Sequence, residues 1–515
     1  MLFVTLGLIS SCTDDFDELN TPSDEIVASN VDASLLGQAF AQSQYRGMKG
    51  LDWQFQITEA LFADLYAQYF ATTAANFDSD QYIEVGRWSD LAWSTFYGDA
   101  APQLDFVLDF TEREGLTLQN AIAEVWKVQL YHRVTDYWGP IIYSEFGNGE
   151  TSVPYDSQES VYKDFFTTLD EAVEVLKNNA GGNAFGSNDI VFGGSVDKWL
   201  RFANSLRLRL AMRIRYVESD LAKSEAEKAF NDGVMMSNAD NAYVLTTPNS
   251  RNPYTVITDW GEFRMSSAME SLLDGYEDPR IDKYFSPAVD GDDDGDGRSW
   301  EGMRNGIPRT EKPGNLNSRY SDMGVNWLND NRGGTNPPME VMEASEIYFL
   351  RAEGALIGWE MGGTAQELYE EGIRMSLQQN SGASTADINN YISSTNTPTA
   401  PGDQWNSPPL TDIPVAWEAG ASLERNLEQI ITQKWIALYP NSREAWAEYR
   451  RTRYPKLYPI IESLNPELAE NDIFSRISFV DGEYSDNEAA TIEARNLLNG
   501  SDNNATKLWW DAKPN

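Results

Sequence analysis

The chain has 515 residues, 80 of them acidic and 39 basic, for a formal net charge of −41. So negative a surface repels polyanions, which argues against nucleic acid as a partner, and it favours solubility. The single cysteine excludes an intrachain disulfide framework.

Taken from the N-terminus, Leu2 to Ile9 is an apolar run too short to cross a bilayer, which takes about 20 residues as a helix. It fits the apolar region of a secretory signal. Leu8, Ile9, Ser10 and Ser11 ahead of Cys12 read as a bacterial lipobox, in which small residues admit the signal peptidase and the thiol becomes the lipid attachment point. Residues 1–11 are therefore the expected signal peptide and Cys12 the expected lipid anchor, the alternative being a buried reduced cysteine. No Lys or Arg precedes Arg46, so the basic start of such a signal is missing and the leader reads as truncated. Behind Cys12, the acids Asp14, Asp15, Asp17, Glu18, Asp24, Glu25 and Asp32 make residues 12–35 an acidic, solvated tether rather than a segment that hugs an anionic leaflet.

Length alone allows two to four domains at about 150 residues each, but helical repeats run longer as one unit, and residues 36–515 are read as a single α-helical domain. In "LQNAIAEVWKVQLYHRVTDYWGP" apolar residues recur at helical spacing until Gly139 and Pro140 close the segment. "VYKDFFTTLDEAVEVLKNN" behaves alike. In "WLRFANSLRLRLAMRIRYV" the apolar positions Trp199, Phe202, Leu206, Leu210 and Ile214 alternate with Arg201, Arg207, Arg209, Arg213 and Arg215, the pattern of an amphipathic helix. Glu346 to Gln379 reads as a helix–turn–helix unit of tetratricopeptide type, with small Ala352, Gly354 and Ala355 admitting a second helix and Gly362 and Gly363 supplying the turn. No long alternating run announces a large sheet. The fold expected is all-α, a tetratricopeptide-like repeat scaffold with long loop insertions at 240–265, 288–340 and 380–425, where the ligand surface is expected.

The stretches "TDYWGPIIYSEF", "EDPRIDKYF", "SEIYFLRAEGALIGW", "IITQKWIALYPNSREAWAEYRRTRYP" and "TKLWWD" resemble the signature segments of the SusD/RagB family of outer-membrane lipoproteins, in particular its SusD-like second branch. Acids directly after a lipidated cysteine also resemble the surface-export signal of lipoproteins in the Bacteroidota. The resemblance implies a helical scaffold of four tetratricopeptide-like pairs. It also implies a surface lid that captures a nutrient and closes over a SusC-like TonB-dependent transporter in the outer membrane. Read physically, Gln433, Lys434, Trp435, Glu444, Trp446, Glu448, Arg450, Arg451 and Pro455 mix aromatics with opposite charges, as scaffolds do where helix ends are pinned by stacking and ion pairs.

"DGDDDGDGRSWE" places Asp290, Asp292, Asp294, Asp296 and Glu301 on the template of a calcium loop, Asp296 offering its carbonyl. A structural Ca2+ that stiffens the loop is expected, although Gly297 stands where such loops carry an apolar residue and Pro279 and Pro287 oppose a regular flanking helix. A solvated acidic loop is the alternative.

Sugar rings stack their apolar faces on aromatics and their hydroxyls need planar polar partners. Two regions hold that mixture. Asp78, Tyr82, Arg87 and Trp88 lie in "NFDSDQYIEVGRW", and Arg319, Tyr320, Asn326 and Trp327 in "SRYSDMGVNW", to which "DWGEF" adds Trp260. The ligand expected is an oligosaccharide, with a peptide as in RagB-like lids, or no nutrient at all in a purely structural lipoprotein, as the alternatives. Catalysis is not expected: His132, the only histidine, sits at helical spacing as a structural residue, and no HExxH, GxSxG or phosphate loop occurs. A glycoside hydrolase, which needs only two well-spaced carboxylates, is the less favoured alternative.

Overall fold

The computed structural model describes residues 33–292, 295, 297–328, 332–469 and 472–514. The expected signal peptide, Cys12 and the expected tether up to residue 32 lie outside the described residues, and the first helix among the described residues begins at Ala33, inside the stretch read as tether.

The principal helices are α1 (Ala33–Met48), α2 (Gly86–Ser94), α3 (Ala101–Arg113), α4 (Thr117–Trp138), α5 (Gln158–Asn178), α6 (Val196–Arg213), α7 (Ser219–Asp232), α8 (Ser267–Gly275), α9 (Ala344–Leu356), α10 (Ala365–Asn380), α11 (Leu423–Ala437) and α12 (Ser442–Thr452). The sequence sets their ends by ordinary means. The Ser157 hydroxyl accepts from the Ser160 N–H at the start of α5, Thr364 and Glu367 form a capping box on α10, and Gly139, at φ 87°, stops α4 where a side chain would be strained. Helices α4 to α7 pack in succession, α6 leans on α9, and α9 is covered by both α10 and α11, so successive pairs share one continuous apolar core that reaches from Leu36 to Trp510.

The α9/α10 pair is the helix–turn–helix unit expected. The small residue that permits its close approach is Gly372, where a Cβ would stand 3.0 Å from the Phe349 ring, whereas Gly354 makes room for Met361. On α6 the expected amphipathic split fails. Arg207, Arg209 and Arg213 are fully buried alongside the apolar stripe because carboxylates from other helices meet them. Arg209 donates two hydrogen bonds to Glu346, Nε at 2.8 Å and Nη2 at 2.5 Å, and Arg213 reaches Glu444 at 2.5 Å. Arg451 of α12 grips Glu353 of α9 through two 2.7 Å bonds and Glu448 through two more, while Lys434 of α11 lies 3.2 Å from Glu448. The residues of 433–455 read as scaffold are thus the charged centre of the helical stack. At the C-terminus Trp510 is buried and donates its indole N–H to Asp136 of α4, tying the chain end to the core.

Among the described residues two short antiparallel ribbons interrupt the helices: β1 (Phe70–Thr72) with β3 (Phe263–Met265), and β2 (Ala242–Val244) with β4 (Met339–Met342). They bring loops far apart in sequence to one place.

Candidate functional site

The β1/β3 ribbon sets Thr73 beside Glu262, and Asn317 fastens a third segment to both. The Asn317 carboxamide oxygen accepts from the Thr73 hydroxyl at 2.5 Å, its Nδ2 donates to the Gly261 carbonyl at 2.6 Å, and its own carbonyl accepts from Arg264 Nε at 3.2 Å. Held between these bonds is the turn Thr258–Trp260, which Gly261 ends in the left-handed region at φ 69°. Trp260 stands 43% exposed at its tip. Arg332 bridges Asp259 and Asp322 at 3.3 and 2.8 Å and pins the base of the turn.

Around this platform lie other polar and aromatic groups. Tyr320 is half-buried, with its hydroxyl donating to Asn315 at 2.5 Å and the Arg319 guanidinium 5.9 Å from its ring centre. Asp78 opens the turn 78–81 and lies 4.0 Å from Arg309. The Gln56 side chain donates to Glu262, which brings the short helix Asp52–Phe55 alongside, and on it Trp53 is 49% exposed. Two exposed indoles, a half-covered phenol and several carboxamides and charges on one rigid surface suit a hydroxyl-rich ligand with apolar faces.

Asn317 thus ties the Trp260 turn to the segment of Arg319 and Tyr320, Asp78 follows Phe77, whose ring stacks on Phe263 of β3, and the other candidates lie apart. Tyr82 and Trp88 are buried: Tyr82 packs edge-on against Tyr66 and Phe474, and Trp88 against Phe77, which in turn stacks on Phe263 beneath the platform. Arg87 is exposed, 5.5 Å from the Trp88 ring centre. Asn326 and Trp327 open instead onto a second cleft of about 170 Å3 beside the β2/β4 ribbon, with Trp327 wedged against Tyr284 and Tyr439. In that cleft Glu343 accepts from the Tyr243 hydroxyl and Asn380, and burial, reinforced by Glu343 and Glu346, pushes Glu340 well above the usual carboxylate range. Trp53, Gln56 and Asn317 were invisible to sequence reasoning. "LDWQF" carries no loop signal, and an asparagine reveals its hydrogen bonds only in three dimensions.

Of the expected calcium ligands, Asp294 and Asp296 lie outside the described residues. Asp292 accepts from the Gly295 and Gly297 N–H groups, Asp290 accepts from Ser318, and Glu301 is buried. Among the described residues no cluster of three or more His, Cys, Asp or Glu could hold a metal ion. His132 is buried in α4 with Nδ1 3.1 Å from the Val128 carbonyl, and burial together with Arg209 and Arg213 holds it well below the ordinary histidine range, neutral, as a structural residue.

A helical-pair scaffold carrying a loop-built aromatic platform defines a ligand-binding protein in class. The comparisons agree with it. Residues 18–511 match the SusD-like family of SusD and RagB outer membrane lipoproteins, and the chain belongs to that family. It is 37% identical to a chitin-binding SusD homologue from Flavobacterium johnsoniae, with 93% of this chain and 99% of that one covered at a TM-score of 0.85. A SusD homologue from Bacteroides thetaiotaomicron (33% identity, 94% and 100% covered) and one from Bacteroides uniformis (34%, 93% and 99%) each superpose with a TM-score of 0.82. No curated protein matches the sequence. Among the described residues no helix is long and apolar enough to cross a membrane.

Proposed function

We propose that this outer-membrane lipoprotein binds oligosaccharide at the cell surface on the Trp260 platform and passes it to a SusC-like TonB-dependent transporter, over which it acts as a lid. The observation that carries the reading is Trp260 itself, a large apolar ring held in solvent by a turn that Asn317 fastens on both sides. Exposing an indole forfeits about 2 kcal/mol of burial, a cost understandable where a ligand covers the ring. The chitin-binding homologue supports a glycan, and N-acetylglucosamine oligomers are the first ligands to try. Asp78, Arg319 and Tyr320 are the polar and stacking partners proposed around Trp260. Arg87 is a proposed contact outside the platform, exposed beside Trp88, and Asn326 and Trp327 belong to the neighbouring cleft.

Nothing in this reading requires turnover: the protein binds and releases. Cys12 is the proposed lipid anchor, and for the loop at 290–301 a Ca2+ ion held by Asp290, Asp292, Asp294, Asp296 and Glu301 remains the proposal. Titration calorimetry with N-acetylglucosamine oligomers tests the binding reading. Binding without loss of the oligomer over hours, weakened by Trp260→Ala, supports it; hydrolysis, or affinity indifferent to Trp260, overturns it. Purification of the complex through a C-terminal tag from outer membranes tests the partner, which mass spectrometry would identify as a TonB-dependent barrel.

A further inference from the structure

A groove of about 750 Å3 opens between the loop at 405–408 and the segment 457–463, outside the platform and the cleft described above. Its walls include Gln68, Tyr82, Trp405, Asn406, Tyr449 and Tyr458. The volume lies within the range of small-molecule sites, about 300 to 1,000 Å3.

Three observations point to a ligand. First, the groove presents polar groups that the protein leaves open. Tyr82 is only 7% exposed and sits in a tight aromatic cage, yet it lines the groove, and no described residue bonds its hydroxyl. The Tyr449 hydroxyl is equally free of protein partners, and Gln68 spends its Nε2 on the Tyr458 carbonyl while its Oε1 accepts from no described residue. None of the three is among the sealed, unpaired polar atoms of the fold, so each meets solvent in the groove, where the hydroxyls of a ligand can take the place of water. Second, Gln68, Tyr82 and Asn406, at φ 55°, 62° and 53°, are non-glycine residues in the left-handed region, and all three line this one groove. Each such residue costs on the order of 1 kcal/mol, and such strain collects where a site must be shaped. Third, the walls are stiff. Asp403 accepts from the N–H groups of Trp405 and Ser407, Arg304 holds Asp403 at 3.2 Å and lies 4.6 Å from the Tyr458 ring centre, and the Tyr458 hydroxyl donates to Pro408.

Half-exposed Trp405 and Tyr449 supply ring faces, and the groove-facing phenols of Tyr82 and Tyr449 with the Gln68 carboxamide oxygen supply donors and an acceptor for hydroxyls. We infer that this groove is a second oligosaccharide subsite, separate from the Trp260 platform. The inference rests on the glycan-binding reading above. Trp405 and Tyr320 lean on the same small apolar cluster of Ala71, Met303 and Ile307, so groove and platform share a rigid floor.

The experiment is hydrogen–deuterium exchange on the full mature chain with and without the hexamer of N-acetylglucosamine, read over 404–408 and 457–461 for the groove and over 258–264 and 315–320 for the platform. Protection of both regions is expected. Trp405→Ala and, separately, the milder Tyr449→Phe should remove or weaken the first and spare the second, with Trp405→Ala lowering hexamer affinity about tenfold, equivalent to 1.4 kcal/mol. Protection confined to the platform overturns the groove and leaves the proposed function standing. Protection in neither region overturns both. Protection of the groove only when a purified barrel partner is added assigns it to a protein interface and overturns the glycan subsite.

Discussion

Trp260 shows what a single side chain decides in this protein. Its ring makes no contribution to the core, so Trp260→Ala should leave the melting temperature within about 1 °C, as surface substitutions do, and lower glycan affinity about tenfold by calorimetry. Asn317→Ala should do the same less directly, since it releases the turn without removing the ring; weaker binding with faster amide exchange at 258–262 is the signature. Asp64 makes a different prediction. It is fully buried, accepts from the Tyr254 hydroxyl at 2.9 Å, and is raised from 3.8 to about 7 chiefly by burial, with Glu59 adding to the rise and Arg443 opposing it. The folded chain then keeps a proton that the unfolded chain releases above about pH 4. Stability is therefore fully present below that pH and declines as pH rises towards 7. Asp64→Asn, which can still accept from Tyr254, should flatten this slope in urea melts at pH 5 and pH 8; an unchanged slope would clear Asp64 of the effect. Residues such as Asp64 could not be singled out among 80 acids by reading the chain, because burial is not written in residue type.

At the scale of elements, the helices were legible and their charged faces were not. Periodicity and turn residues locate α4, α5, α6, α9 and α10, yet the amphipathic pattern of α6 does not reveal that three of its arginines are buried. The carboxylates that meet Arg209 and Arg213 come from α9 and α12, more than a hundred residues away, and those that meet Arg207 from α5 and α7. Once paired, these charges cannot be separated cheaply. Glu353→Gln leaves Arg451 and Arg215 short of a counter-charge at full burial and should destabilise by about 3 to 5 kcal/mol, whereas removing the exposed pair Arg113–Asp109 should cost under about 1 kcal/mol. Denaturant melts of the two variants compare them directly. Acid should act on the same network, since Arg451 and Lys434 hold Glu448 well below the usual carboxylate range against the cost of burying it. That contribution is retained above the ordinary glutamate range and is lost only as pH falls through the lowered value.

The whole molecule joins a helical scaffold to a set of loop-built surfaces, with the anchor proposed at Cys12. Cys12→Ala should release the protein from outer membranes into the soluble fraction; normal membrane attachment of that variant would remove the lipid reading. Family and scaffold were legible from sequence because their signals are local or contiguous: a lipobox, helical periodicity, and long motifs such as 430–455 whose residues bond to one another and to the core. The expectation that loops carry the ligand surface could be formed in the same way. Which loop residues meet could not. Trp260 and Tyr320 come together only because β1 pairs with β3 and Asn317 bonds across to Thr73 and Gly261, while Trp88 and the ring of Tyr82, equally attractive as text, are taken by the core. Sequence alone determined where the helices run, because helical periodicity depends on neighbours within a few positions. Tertiary structure alone decided which aromatics face solvent and which charges are buried, because exposure is set by contacts between residues hundreds of positions apart.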